Sequence, residues 1–309
     1  MKIFVIGHRQ PDLDSISAAL LYTELLKKLG VKNVIASYQD KLNSETTHIL
    51  KKFKISSPKL IKKTTLRKDD QIILVDHNEE SQRLPEVNPD RIIQIIDHHK
   101  AAFCFNLPIK IDIRPWGSTS TIIFDYFEKN KLKLSLKQSQ LMLSAILSDT
   151  VGFNSPTTTN LDRQTAKKLA TRTKTDLKEL TLEIFKAKSK INHLTPKQIV
   201  LKDYKIFDFN GKKTLINQIE TVEENEILKQ KSQLIKAMTR IKAQEKLDYI
   251  FCIVSNILKI ASQLIYTNKE EEEIAQRAFG EKGSEGLIDI GTRISRKKEI
   301  APLLEKVIR

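Results

Sequence analysis

Four places in this chain set acids and imidazoles where they could hold metal ions. His8, Asp12 and Asp14 follow a short β-branched and apolar run, residues 3–7. Asp76-His77-Asn78 follows the apolar residues 72–75, and Asp97-His98-His99 follows residues 92–96. Asp149 stands in Ser148-Asp149-Thr150, just after the apolar stretch 141–147. Singly, each acid has an ordinary explanation. Asp14 and Ser15 would cap a helix, and Asp76 and Asp97 would form turns. Together they form a cluster of carboxylates that repel one another and pay for lost hydration unless a cation neutralises them. Imidazole and carboxylate without thiolate suit Mn, Co, Fe or Zn, whereas Mg prefers oxygen ligands and retained waters. Two ions about 4 Å apart sharing one carboxylate can bridge a water, lower its pKa and hold it in line with a phosphorus atom.

Such a cluster needs strands that end at one edge. The first half alternates strand and helix patterns: strands at 3–7, 34–38, 71–75 and 91–96, helices at 16–29 and 45–54, then two helices at 118–130 and 135–149. The alternation predicts an α/β domain with a parallel, doubly wound sheet, whose ligands bind at the carboxyl ends of its strands. The segment Trp116-Gly117-Ser118-Thr119-Ser120 opens a helix, either as a cap or as a source of donors near the site. His77 and Asn78 are expected beside the ligands or the substrate. His48 and His193 are expected at the surface, and Ser44 and Glu45 need no function. The pattern loosens near residues 187–196, so domains are expected at 1–187 and 197–309 with a linker at 188–196. Beyond the linker, residues 204–209 and 213–222 flank Asn210-Gly211, a two-residue hairpin signal. A long amphipathic helix over 223–246, strands at 249–254 and 260–266 and a helix at 270–279 complete a smaller α/β domain.

The motifs Gly7-His8-Arg9-Gln10-Pro11-Asp12-Leu13-Asp14-Ser15, Asp76-His77-Asn78, Asp97-His98-His99, Ser148-Asp149-Thr150 and Ser295-Arg296-Lys297-Lys298 occur in one order along nearly the whole chain. In that combination the chain resembles the DHH phosphoesterase superfamily, and within it the family II, manganese-dependent inorganic pyrophosphatases. The resemblance implies a DHH-type catalytic domain and a DHH-associated, substrate-binding second domain, with the active site between them. It implies hydrolysis of pyrophosphate to two orthophosphates by a hydroxide bridging two metal ions. His8, Asp12 and Asp76 would hold one Mn2+; Asp14, Asp76, His98 and Asp149 would hold the other, with Asp76 shared. Co2+ or Mg2+ would be possible substitutes, and a further Mg2+ would arrive with the substrate. His99, Lys205, Arg296 and Lys297 would bind the substrate and assist catalysis, and a homodimer would form through the N-terminal domains. An Arg fork and a Lys charge at 296–297 suit a polyanion independently of the resemblance. Related nucleases carry a Gly-Gly-Gly-His type motif, and residues 280–286 here are interrupted by charges and lack His.

Bulk properties fit this reading. The chain has 309 residues and a formal charge of +15, spread along its length without a basic arm or tail. A nucleic-acid binder would interleave aromatics with the basic residues, yet aromatics make up only 6% and are scattered. An anionic small substrate is therefore favoured, with no nucleic acid and no membrane partner. No apolar run approaches the roughly 20 residues that cross a bilayer. The 2 cysteines, Cys104 and Cys252, are far apart in apolar settings, which predicts buried thiols in a reducing, cytoplasmic compartment.

Overall fold

The computed structural model describes residues 1–189 and 194–309. The expectation for His193 lies outside the described residues. The chain divides into two compact units, Met1–Ala187 and Lys188–Arg309.

In the first unit, β1 (Ile3–Ile6), α1 (Leu13–Lys28), β2 (Val34–Tyr38), α2 (Ser44–Lys52) and β3 (Lys59–Leu60) build one half of the sheet. The other half comes from β4 (Gln71–Val75), β5 (Ile92–Asp97) and β6 (Lys110–Ile113). Helices α3 (Thr119–Lys129), α4 (Leu136–Asp149), α5 (Asn160–Thr173) and α6 (Leu177–Lys188) follow. Among the described residues the strands form a 6-stranded sheet in the order β3-β2-β1-β4-β5-β6, with every pairing parallel. Strand order reverses between β1 and β4, so their carboxyl ends diverge and leave room for a ligand. The near-continuous apolar composition of β1 and β4 follows from burial on both faces. Val5, Ile73 and Val75 point to the helix side, packing with Leu13, Ile16, Leu143 and Ile146. Phe4, Ile6, Ile72 and Leu74 alternate to the opposite face. The second winding departs from the expected pattern on that face: short 3-10 turns, Glu80–Gln82 and Pro89–Arg91, connect β4 to β5 in place of a helix.

The second unit holds α7 (Pro196–Val200), β7 (Tyr204–Phe209), β8 (Lys212–Thr221), α8 (Glu224–Leu228), α9 (Lys231–Gln244), β9 (Tyr249–Asn256), β10 (Ala261–Ile265), α10 (Lys269–Phe279), β11 (Leu287–Asp289) and α11 (Ala301–Val307). Among the described residues its 5-stranded sheet runs β11-β10-β9-β8-β7. Asn210 and Gly211 both have positive φ (54° and 80°), the backbone that a tight hairpin turn needs, and β7 and β8 pair antiparallel. Along β9, Tyr249, Phe251 and Ile253 pack against α10 and α11, while Ile250, Cys252 and Val254 pack against α7 and α9.

Several expectations need correction. The single helix over 223–246 is two, α8 and α9. Both bury the same face (Ile227, then Leu234, Met238 and Ile241), so the apolar period runs on through the break. Pro196 is not linker but the first residue of α7, where its fixed φ suits the first turn. Helix α1 starts at Leu13 rather than 16, which makes Asp12 the N-cap; Asp14 lies inside the first turn. Cys252 is buried but Cys104 is exposed. Strands β3 and β11 have 2 and 3 residues, too few for a periodic signal to emerge, and β6, with 4, is partly exposed and carries Lys110 and Asp112 in place of an apolar run.

Candidate metal centre

The turn from β1 into α1 delivers the first candidate ligands. Gly7 packs so closely on α1 that a Cβ there would lie 2.0 Å from Ser15 Oγ and 3.0 Å from the Ser15 carbonyl oxygen. That hydroxyl accepts from the His8 amide at 3.0 Å, and Asp12 accepts from the Ser15 amide at 2.9 Å. His8 and Asp12 are thereby fixed to the same helix start. Asp76 follows β4 directly with φ +63°, a left-handed conformation that costs a non-glycine residue roughly 1–2 kcal/mol and turns the chain sharply at the sheet edge. Asp149 is the last residue of α4, and His98 follows β5 directly.

These residues converge. His8 Nε2 lies 3.5 Å from Asp12 Oδ1 and 3.5 Å from Asp76 Oδ2. His98 Nε2 lies 3.4 Å from Asp76 Oδ1. Asp76 therefore shows one oxygen to each imidazole. Ligand atoms of His8, Asp12 and Asp76 lie within 4.8 Å of one another, as do those of Asp14, His98 and Asp149, and those of Asp76, His98 and His99. All six residues expected as ligands on sequence grounds are in this cluster.

Electrostatics mark the cluster as short of positive charge. Burial and the neighbouring Asp76 push Asp14 up to about 7. Burial and Asp14 push Asp149 well above the usual carboxylate range. Burial alone would lower the two imidazoles, but the carboxylates outweigh it: Asp12 and Asp76 raise His8 to about 10, and Asp76 and Asp149 raise His98 to about 11. His98 Nε2 and Asp149 Oδ2 are buried without a hydrogen-bond partner among the described residues. Orphaned donor atoms facing each other inside a nitrogen and oxygen set, with no sulfur, fit divalent cations such as Mn2+.

The surrounding shell was only partly legible. The N-terminus of α3 grips Asp14: Ser118 Oγ donates at 2.8 Å, Thr119 N at 2.7 Å and Ser120 N at 3.1 Å. Thr119 Oγ1 donates to Asp76 Oδ1 at 2.8 Å. The segment Trp116–Ser120 thus serves as both cap and donor array, since Ser118 also caps α3. Asp97, read as a turn former, is fully buried and accepts from the His98 and His99 amides, from His99 Nδ1 and from Asn78. Burial would raise its pKa; the bonds from His99 and Asn78 prevail and lower it, while the same bond raises His99. His99 is half exposed in an open pocket that His8, Asp76, His77 and Asn78 also line. His77 is buried and held neutral, its pKa down to about 4, with Nδ1 on the Val75 carbonyl. Glu45, dismissed on sequence grounds, is buried and accepts from Ser148 Oγ at 3.1 Å, beside Asp149. Its place in a helix's first turn hid it, because acids there are ordinarily solvated. His48 is at the surface, paired with Glu183 at 2.7 Å.

Lys205, Arg296 and Lys297 belong to the second unit. Lys205 is exposed on β7, opposite Ile216 of β8. Arg296 is anchored by the residue just before β7 and by β8: it donates to Asp203 Oδ1 at 2.8 Å, to the Asp203 carbonyl at 2.9 Å and to the Ile216 carbonyl at 3.4 Å. Lys297 is exposed one residue on.

Comparison with known proteins matches residues 2–146 to the DHH family N-terminal domain and residues 182–307 to the DHHA2 domain. A manganese-dependent inorganic pyrophosphatase of Methanothrix thermoacetophila is 36% identical over 310 residues, covering 100% of this chain and 99% of that one. One from Methanocaldococcus jannaschii is also 36% identical, covering 98% of each. The crystal structure of a Methanococcus jannaschii protein assigned to the family II inorganic pyrophosphatases superposes with a TM-score of 0.65 at 35% identity over 99% of both chains. An exopolyphosphatase-related protein of Bacteroides fragilis shares the fold, with a TM-score of 0.51 at 17% identity.

Proposed function

This chain belongs to the manganese-dependent inorganic pyrophosphatases of the DHH family, and from that premise we propose that it hydrolyses pyrophosphate to two orthophosphates. The observation that carries the reading is the placement of Asp76, whose two oxygens face His8 and His98 separately. A carboxylate so placed is suited to bridge two cations, His8 and Asp12 completing one side, Asp14, His98 and Asp149 the other. Two divalent cations held there would activate water as a nucleophile and draw charge from the phosphate oxygens.

The chain's own groups do the rest by positioning and charge, which dominate phosphoryl transfer. His99, held at Nδ1 by Asp97, keeps Nε2 available to carry a proton to the departing phosphate. Asp203 fixes the plane of the Arg296 guanidinium, which with Lys205 and Lys297 would neutralise substrate oxygens. Co2+ or Mg2+ would be possible substitutes for Mn2+, and the substrate would enter with its own Mg2+. We further infer a cytoplasmic enzyme that dimerises through its first unit. Among the described residues, no helix is long and apolar enough to cross a membrane.

Phosphate release from pyrophosphate, measured with Mn2+, Co2+, Mg2+ or chelator, tests the reading alongside Asp76→Ala. Metal-dependent turnover abolished in the variant supports it. Equal or faster release from polyphosphate or a short RNA would move the assignment to another phosphoesterase activity. Light scattering of the eluting protein reports the dimer.

A further inference from the structure

His98 is oriented from its far side. Its Nδ1 lies 3.0 Å from the Trp116 carbonyl oxygen, an acceptor only, so Nδ1 keeps a proton and Nε2, on the side facing Asp76 and Asp149, is the nitrogen a cation would engage. The same peptide unit is held at its other end: Gly117 N donates to Asp162 Oδ2 at 2.9 Å. Asp162 is fully buried on α5, outside every motif. Its other contacts fix it in place, with Thr121 Oγ1 donating to Oδ1 at 2.6 Å and Thr159 donating to Oδ2 from N at 2.8 Å and from Oγ1 at 2.6 Å. The approach tolerates no side chain at position 117, where a Cβ would sit 2.8 Å from Asp162 Oδ2 and 2.9 Å from Thr150 Cγ2.

We propose that Asp162 is a positioning residue of the metal centre, acting on His98 through the Trp116–Gly117 peptide. The proposal rests on the reading of His98 as a metal ligand. A carboxylate on the peptide N–H shifts electron density toward the peptide oxygen and makes it a stronger acceptor. The bond from His98 Nδ1 shortens in response, which fixes the ring and strengthens Nε2 as a donor to a cation. The usual carboxylate-to-histidine contact of metal sites is here carried through one backbone amide. Thr121 and Gly117 bring the same carboxylate to both ends of the segment that grips Asp14, so Asp162 couples the two ligands of one metal position.

The test compares Asp162→Asn with Thr159→Val, a variant that strips the α5 cap hydroxyl yet leaves the carboxylate on Gly117. Mn2+ affinity of the metal-free chain is measured by calorimetry, with thermal unfolding beside it. Asp162→Asn is expected to weaken binding about 10-fold or more, and Thr159→Val to change it less than about 2-fold despite a comparable fall in Tm. In Zn2+-loaded, 15N-histidine-labelled protein the His98 Nδ1–H resonance moves upfield in Asp162→Asn only. Equal losses of affinity in both variants, or an unmoved resonance, overturn the proposal and leave Asp162 as a helix cap. If Asp162→Asn does not fold, exchange in the wild type decides. Strong protection of both the Gly117 amide and His98 Nδ1–H supports the relay, and exchange of either near the random-coil rate overturns it. A wild-type chain that binds no Mn2+ at all would instead remove the reading of the site itself.

Discussion

His98 Nε2 and Asp149 Oδ2 lie 3.1 Å apart, both buried and both without a hydrogen-bond partner among the described residues. Two such atoms stay misaligned toward each other when both are aimed at a third position. The chain without cations must therefore hold protons there that the loaded chain gives up. His8 and His98 stay protonated to about 10 and about 11, so at pH 7.5 uptake of Mn2+ should release at least one proton per imidazole engaged. Calorimetry in buffers of different ionisation enthalpy counts them, and a buffer-independent heat would contradict the assignment.

The same groups set a pH dependence for the metal-free protein. The folded pKa of Asp14 is raised from 3.8 to about 7, and those of His8 and His98 are raised from 6.5. Each raised group favours the folded state fully below its unfolded pKa and loses that contribution as pH rises through the folded value. Stability of the metal-free chain should therefore fall from about pH 4 towards pH 10 across these windows. Metal binding tightens over the same range, because protons compete less for the ligands. The gap in Tm between loaded and metal-free protein should widen with pH, as a thermal shift series with Mn2+ or chelator would show.

Asp97→Asn keeps the shape of a fully buried side chain that accepts from three donors on His98 and His99. An amide placed there sets at least one N–H against another donor. A stability loss of about 1–3 kcal/mol is expected by urea unfolding. The kcat should fall more than KM changes, since His99 is misplaced while the second-unit cations are untouched.

Gly7→Ala forces a methyl against Ser15, whose backbone cannot yield as a side chain would. The β1–α1 turn must open, with a loss of about 1–3 kcal/mol and weaker Mn2+ binding from displaced His8 and Asp12. Unchanged affinity would show that the turn tolerates the shift.

Cys252 is buried, donates to Asn217 Oδ1 at 2.8 Å and has its thiol pushed up to about 12 by burial, whereas Cys104 is exposed. A thiol reagent at pH 8 should label one site per folded chain, Cys104, and a second only after denaturation. Both thiols reacting at once would place Cys252 in a mobile environment.

Most of the acid and imidazole cluster was legible because its members follow an abrupt change from an apolar run to Asp or His, a local signal at β1, β4 and β5. The supporting shell left no such trace. Asp162 reads as one acid of a capping box on α5, Glu45 as a first-turn acid on α2 and Asp97 as a turn residue. Each has an ordinary local explanation, and its second partner lies 19 to 103 residues away. The break between α8 and α9 was hidden for a related reason, since both helices bury one continuous apolar face.

The sequence by itself determined the cores of the longer strands, the turn at Asn210-Gly211 and which acids and imidazoles are candidates for ligands, because residue type and period are local properties of the chain. Only the tertiary structure decided that Asp76 turns an oxygen to each of two imidazoles, and that one peptide joins His98 to Asp162. Those relations depend on a left-handed backbone at the end of β4 and on the packing of α5 against the start of α3. Distances between elements remote in sequence are fixed by the packed core and are written in no single stretch of residues.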